Sequence, residues 1–161
     1  MKKIINKTYA LLLIIIISGC AGYEPIFGSK NVNFKIIKHS INGDKILGNR
    51  IYAKIFAISS PNKNSDNIKK IDLNINVNKN QSATSKDSAG KILEYQITVD
   101  AEIVMKDLST NKTILNKTFN SSTKYKIQDQ YSKTIDLENQ AIENIINNIY
   151  QNLLIVLLTE V

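Results

Sequence analysis

The chain has 161 residues, a formal net charge of +7, one cysteine and one histidine. One cysteine excludes an intramolecular disulfide, and the length suits a single domain with its own core rather than several. The basic balance could favour an acidic partner such as phosphorylated lipid, nucleic acid or an anionic membrane. Lys, Asn and Ile dominate, however, and Arg50 is the only arginine, so the charge also reads as a coding bias. No helix-turn-helix, zinc-finger or RNP pattern accompanies it.

The first twenty residues read as a targeting segment. Lys2, Lys3 and Lys7 precede an unbroken apolar run from Ala10 to Ile17, and Ser18, Gly19 and Cys20 follow. A charged start, an apolar run and small residues before a cut form a secretory pattern. Eight helical residues rise about 12 Å, against a hydrocarbon core of about 30 Å, so the run is a poor permanent span. Ile17-Ser18-Gly19-Cys20 reads as a lipobox, in which Cys20 becomes the N-terminus and carries acyl chains, palmitate among them. Three such chains, at roughly 0.8 kcal/mol per buried methylene, hold a protein on a membrane almost permanently. Ala21 follows the cysteine; where lipoproteins are sorted by that residue, the lack of Asp favours the outer membrane. Loss of residues 1–19 removes three lysines and no acids, which takes the formal charge from +7 to +4.

Residues 20–33 read as a lipidated tether, with a short motif Tyr23-Glu24-Pro25-Ile26-Phe27-Gly28, and 34–161 as one domain. A first strand is expected at Phe34–Ile41. A helix follows over about Asp44–Ile58, because Leu47, Ile51 and Ile55 recur every four residues and Asn42-Gly43-Asp44 supplies a turn and a cap. Gly48 weakens it by up to about 1 kcal/mol relative to Ala. Ser59–Asn67 is a polar breaker.

Ile71, Leu73, Ile75 and Val77 alternate with polar residues and predict a strand with one buried face. Lys79–Lys91 is a polar loop or a flexible extension of that strand. The alternation from Tyr95 to Met105 is the clearest strand in the chain. Asp107–Lys112 predicts a hairpin connection with Asn111 left-handed, and a fourth strand runs from about Thr113 to Tyr125. Met105 opposite Leu115, Ala101 opposite Phe119, Val99 opposite Ser121 and Tyr95 opposite Tyr125 is the register that keeps both apolar sets on one face.

A last helix from about Ser132 or Ile135 to Leu158 carries the stripe Ile142, Ile145, Ile146, Ile149, Leu153 and Leu157. Asp136, Glu138 and Glu143 are expected to complement its positive N-terminus, and Leu153–Leu158 to be a deeply buried end. The order β-α-β-β-β-α predicts an α+β fold: a two-layer sandwich, with a mainly antiparallel four-stranded sheet and both helices on one face.

No catalytic machinery is expected. His39 stands alone on the first strand and no Ser-His-Asp set can be built around it. No ligand spacing suggests a metal, and there is no phosphate loop or dinucleotide fingerprint. Asp129, Asp136, Glu138 and Glu143 need no catalytic role, so neither metal nor cofactor is anticipated.

Gly19-Cys20 followed by Tyr23, Pro25, Ile26, Phe27 and Gly28 resembles the start of alphaproteobacterial LptE lipoproteins, with one extra residue between cysteine and aromatic. Tyr125, Glu138 and Ala141 resemble that family's tyrosine and its helix with Ala-Glu-x-x-Ala, although Leu137 stands where the first alanine is usual. The Tyr95–Asp107 strand, the Asn111 turn and the Leu115 return are similar to its central hairpin. The resemblance implies a lipoprotein of the lipopolysaccharide translocon that plugs the LptD outer-membrane β-barrel, assists its assembly, binds lipopolysaccharide and performs no covalent chemistry. An accessory lipoprotein of another envelope lipid-transport system and a structural membrane anchor remain open alternatives. A barrel lumen is polar, and Asp72, Asn74, Asn76, Asn78, Gln96, Thr98, Asn116, Thr118 and Asn120 supply a polar sheet face for it, or an ordinary solvated one. Lipid A phosphates call for cations. Lys79, Lys86 and Lys91, between the second and third strands, are the first candidates, with Lys117, Lys124 and Lys126 behind them; solvated loop lysines are the plainer reading.

Overall fold

A computed structural model describes residues 34–59 and 68–160. The expected signal segment 1–19, Cys20 and the Tyr23–Gly28 motif lie outside the described residues. The elements are β1 (Phe34–Gly43), α1 (Lys45–Ile58), β2 (Lys69–Lys86), β3 (Ile92–Asp107), β4 (Thr113–Lys126) and α2 (Tyr131–Glu160). The four strands form one sheet in the order β1-β2-β3-β4. β1 and β2 are parallel, and the other two pairs are antiparallel. The fold is α+β with the expected element order, and the sheet is mixed but mostly antiparallel.

Alternation sets the faces. Ile71, Leu73, Ile75 and Val77 on β2 and Ile97, Val99, Ala101, Ile103 and Met105 on β3 are fully buried, and Leu115, Phe119 and Tyr125 on β4 join them. The β3–β4 register pairs Met105 with Leu115, Ala101 with Phe119, Val99 with Ser121 and Tyr95 with Tyr125. Asn111 is left-handed at φ 56°. Leu47, Ile51 and Ile55 of α1 and the isoleucine-leucine stripe of α2 close one continuous core on this face.

α1 begins where Asp44 caps it. Its carboxylate accepts from the N–H groups of Ile46 at 3.1 Å and Leu47 at 3.0 Å, satisfying donors that have no partner inside the helix. Gly48 does more than weaken the helix: a Cβ there would lie 2.4 Å from the Ile41 side chain, so glycine lets α1 sit close on β1.

Of the two readings of Lys79–Lys91, the strand extension holds: β2 continues to Lys86, and the reversal shrinks to a tight turn. In it the Asp87 carboxylate accepts from the N–H groups of Ala89 and Lys91, both at 2.9 Å. Two details depart from expectation. α2 starts at Tyr131, which leaves no acid in its first turn; the dipole effect fades beyond that turn, and Glu138 and Glu143 act through specific partners instead. The end of α2 buries Leu153, Leu154 and Leu157 but leaves Ile155 about half exposed, so it is only partly covered. No helix among the described residues is long and apolar enough to cross a membrane.

Candidate functional site

The sheet presents three surfaces of different chemistry. The first is the face turned away from the helices. There the even-numbered residues of β2, β3 and β4 project, and most are amides, hydroxyls or charges. Asn120 donates to Asp100 at 2.7 Å, and Asn76 lies 3.5 Å from Glu102. Over β1, β2 and β3 this face hollows into a basin of about 500 Å³ lined by Ser40, Asn42, Asp72, Asn74, Asn76, Glu102, Val104 and Lys106. Asp72 stands opposite Lys106 in the ladder, so part of its charge is balanced.

The second surface is the β2–β3 hairpin. Lys86 pairs across the ladder with Ile92, beside Lys91, so these two cations share the tip. Lys79 pairs with Val99. Seven residues at about 3.3 Å each put it about 23 Å down the strand from Lys86. The three lysines therefore do not form one patch: Lys86 and Lys91 stand at the tip, and Lys79 lies apart along β2. Of the second set, Lys124 is 3.5 Å from Glu94. The Glu94 carboxyl is held below its ordinary range, chiefly by the Thr84 hydroxyl, against opposing desolvation and with help from Lys124 and Lys126. That hydroxyl donates to it at 2.8 Å. At the opposite turn Asp107 is lowered as well, first by the backbone N–H of Ser109, which reaches it at 2.8 Å.

The third surface is a groove of about 280 Å³ between the end of β4 and α2, with Tyr125, Leu137, Gln140 and Ala141 in its lining. Tyr125 is the pivot. The Gln81 side chain donates to its hydroxyl at 2.6 Å, its ring stacks on Tyr95 at 5.8 Å, and the Glu138 carboxylate is near enough to act on the phenol. Burial, then the negative charge of Glu138, pushes the phenol up to about 12. The fold thus brings together Tyr125, Glu138 and Ala141, the three residues singled out from the sequence. Gln81 was missed, because it stands in a polar run without alternation.

His39 stacks on Tyr52, with ring centroids 4.2 Å apart, and Tyr52 leans on Phe56. This is packing between β1 and α1. Arg50 and Lys54 of α1 both pair with Glu143 of α2. Among the described residues no group of three or more His, Cys, Asp and Glu side chains could hold a metal.

No family model matches the chain, and no curated protein does. Solved structures do. A minor lipoprotein from Acinetobacter baumannii is similar at a TM-score of 0.55 and 11% identity, over 80% of this chain and 92% of that one. A lipoprotein candidate from Caulobacter crescentus gives 0.54 and 12%, over 80% and 89%. Lipoprotein B from Nitrosomonas europaea, itself uncharacterized, gives 0.53 and 10%, over 77% and 84%. At these identities the likeness is one of fold.

Proposed function

We propose that the chain is a lipid-anchored protein of the bacterial outer membrane, attached through Cys20. In this reading it is a subunit of the lipopolysaccharide translocon, which plugs and helps assemble an LptD-like β-barrel and contributes to lipopolysaccharide transport. The observation that carries the reading is the fold. The likeness covers 77–80% of this chain with three solved chains described as lipoproteins, and Ile17-Ser18-Gly19-Cys20 reads as a lipobox. The hydrogen-bonding face of the sheet supports placement in a hydrated lumen. Lys86 and Lys91 offer charge-assisted hydrogen bonds to lipid phosphates, and the role asks for no reacting group.

Detergent extraction followed by affinity purification of the tagged chain tests the reading. Recovery of one outer-membrane β-barrel protein together with lipopolysaccharide is the expected result. Recovery of the components of a different lipid-transport system would make the chain an accessory lipoprotein of that system. A partner that is not a barrel, without lipid, would make it a structural anchor.

A further inference from the structure

β1 and β2 run side by side only as far as Gly43 and Val77. The reason is local. Gly43 is left-handed at φ +74°, and a Cβ on it would lie 2.0 Å from the Val77 carbonyl oxygen. The next residue, Asp44, donates its N–H to that oxygen at 2.8 Å and then caps α1, which leads the chain away. β2 goes on to Lys86, paired with β3 on one side. Among the described residues no strand pairs with its other side beyond Val77.

The orientation of that edge follows from the Val77 contact. A strand residue turns its N–H and C=O to the same side, and successive residues alternate. Val77 faces β1, so Lys79, Gln81 and Ala83 present their N–H and C=O groups to the open lane, while Asn78, Asn80 and Ser82 serve β3. Asn78–Lys86 is exposed throughout and spans about 30 Å. An open row of backbone donors and acceptors is a template for an added strand.

Charge selects the occupant. Lys79 and Lys86 lie on this edge and no acid does. The nearest carboxylates are engaged elsewhere: Asp100 by Asn120, Glu94 by Thr84 and Lys124, and Asp87 by its own turn. Pairing two copies of the edge would bring lysines together with nothing to neutralise them, and lysines and bulges on an edge oppose such self-association. The ladder is irregular between Ala83 and Lys86. We propose that the open edge of β2 at Asn78–Lys86 receives an extended, acidic segment of another polypeptide, as a strand in line with β1. This goes beyond the translocon reading and does not require it.

The test uses the full mature protein in detergent micelles and synthetic peptides of about seven residues: an alternating Glu/Val peptide, its Lys/Val counterpart, and the acidic peptide with a central proline. Amide hydrogen exchange is followed by NMR. The acidic peptide should slow exchange at Lys79, Gln81 and Ala83 and leave Asn80 and Ser82 as they were. The basic peptide should bind roughly ten-fold more weakly, since cross-strand charge pairs add up, and the proline peptide should not bind. Lys79→Glu should reverse the preference. Lys79→Pro should abolish binding while Asn80 still pairs with Thr98. Absence of protection at the three amides, or equal binding of both charged peptides, overturns the proposal. Protection that grows with protein concentration alone also overturns it, and assigns the edge to a second copy. Because the peptides are soluble and no barrel is present, failure here is separable from failure of the proposed function.

Discussion

The Tyr125 hydroxyl on β4 and the Gln81 amide on β2 meet at 2.6 Å across β3, which lies between their strands. The charge of Glu138 on α2 acts on the same phenol, which lines a groove between the end of β4 and α2.

Tyr125→Phe removes the bond from the exposed Gln81 amide and the polar neighbour of the half-buried Glu138 and should cost about 1 kcal/mol, measured by chemical denaturation. Its pH dependence has a definite sign. The folded phenol is raised to about 12 from an ordinary 10.0, so folding favours the protonated form. The contribution is fully present below pH 10 and is lost as pH rises through about 12. The stability gap between wild type and Tyr125→Phe should therefore narrow over that window; a gap that widens there would contradict the assignment.

Gly43→Ala should destabilise by at least about 2 kcal/mol, because alanine at positive φ is strained and its methyl would strike the Val77 carbonyl. A denaturation midpoint unchanged within error would show that the turn relaxes freely.

Replacement of Lys86 and Lys91 together by Gln should weaken lipopolysaccharide binding several-fold and make it less sensitive to salt, since exposed charges are screened within about 8–10 Å. Lys79→Gln alone should change it little, given the separation along β2. Titration with lipopolysaccharide micelles reads both. Equal loss from either variant would mean that the three lysines meet on one ligand after all.

Cys20→Ser should accumulate as an unprocessed, unlipidated precursor. Intact mass spectrometry of the membrane fraction decides this, and normal processing of the variant would remove the basis of the anchor.

Much of the fold was legible wherever one face is apolar and the other polar. Tyr95 to Met105 alternates without a break, and Asn111 marks the turn, so the hairpin register followed from keeping Phe119 and Leu115 with Ala101 and Met105. The same rule could not find the end of β2. From Asn78 to Lys86 both faces are exposed, so no burial imprints a period on the residues. The spacing of the lysines depends on this: a loop could have gathered Lys79 toward Lys86, whereas along the strand the two stand apart. The bulge after Ile36 and the parallel pairing of β1 also escaped, since both depend on contacts between residues far apart in sequence. At the Tyr125 site the tyrosine, glutamate and alanine were visible through a family resemblance, whereas Gln81 becomes apparent only once β2 is known to continue past Val77.

The parallel pairing of β1 with β2 also orders assembly. β2, β3 and β4 are joined by tight reversals, and α2 follows directly, so their contacts close short loops. β1 must wait for a helical crossover, and the Arg50–Glu143 link joins residues 93 apart in the chain. Short loops close first because their entropic cost is lower. In a chain that emerges N-terminus first, β1 appears before any strand it could pair with. The meander should therefore form while β1 is still unattached, with part of the apolar face of β2 briefly uncovered. Pulse-labelled refolding should find the amides of β3 and β4 protected ahead of those of β1; the reverse order would place the crossover in the folding nucleus. That interval, rather than the finished fold, is when this protein is most open to aggregation.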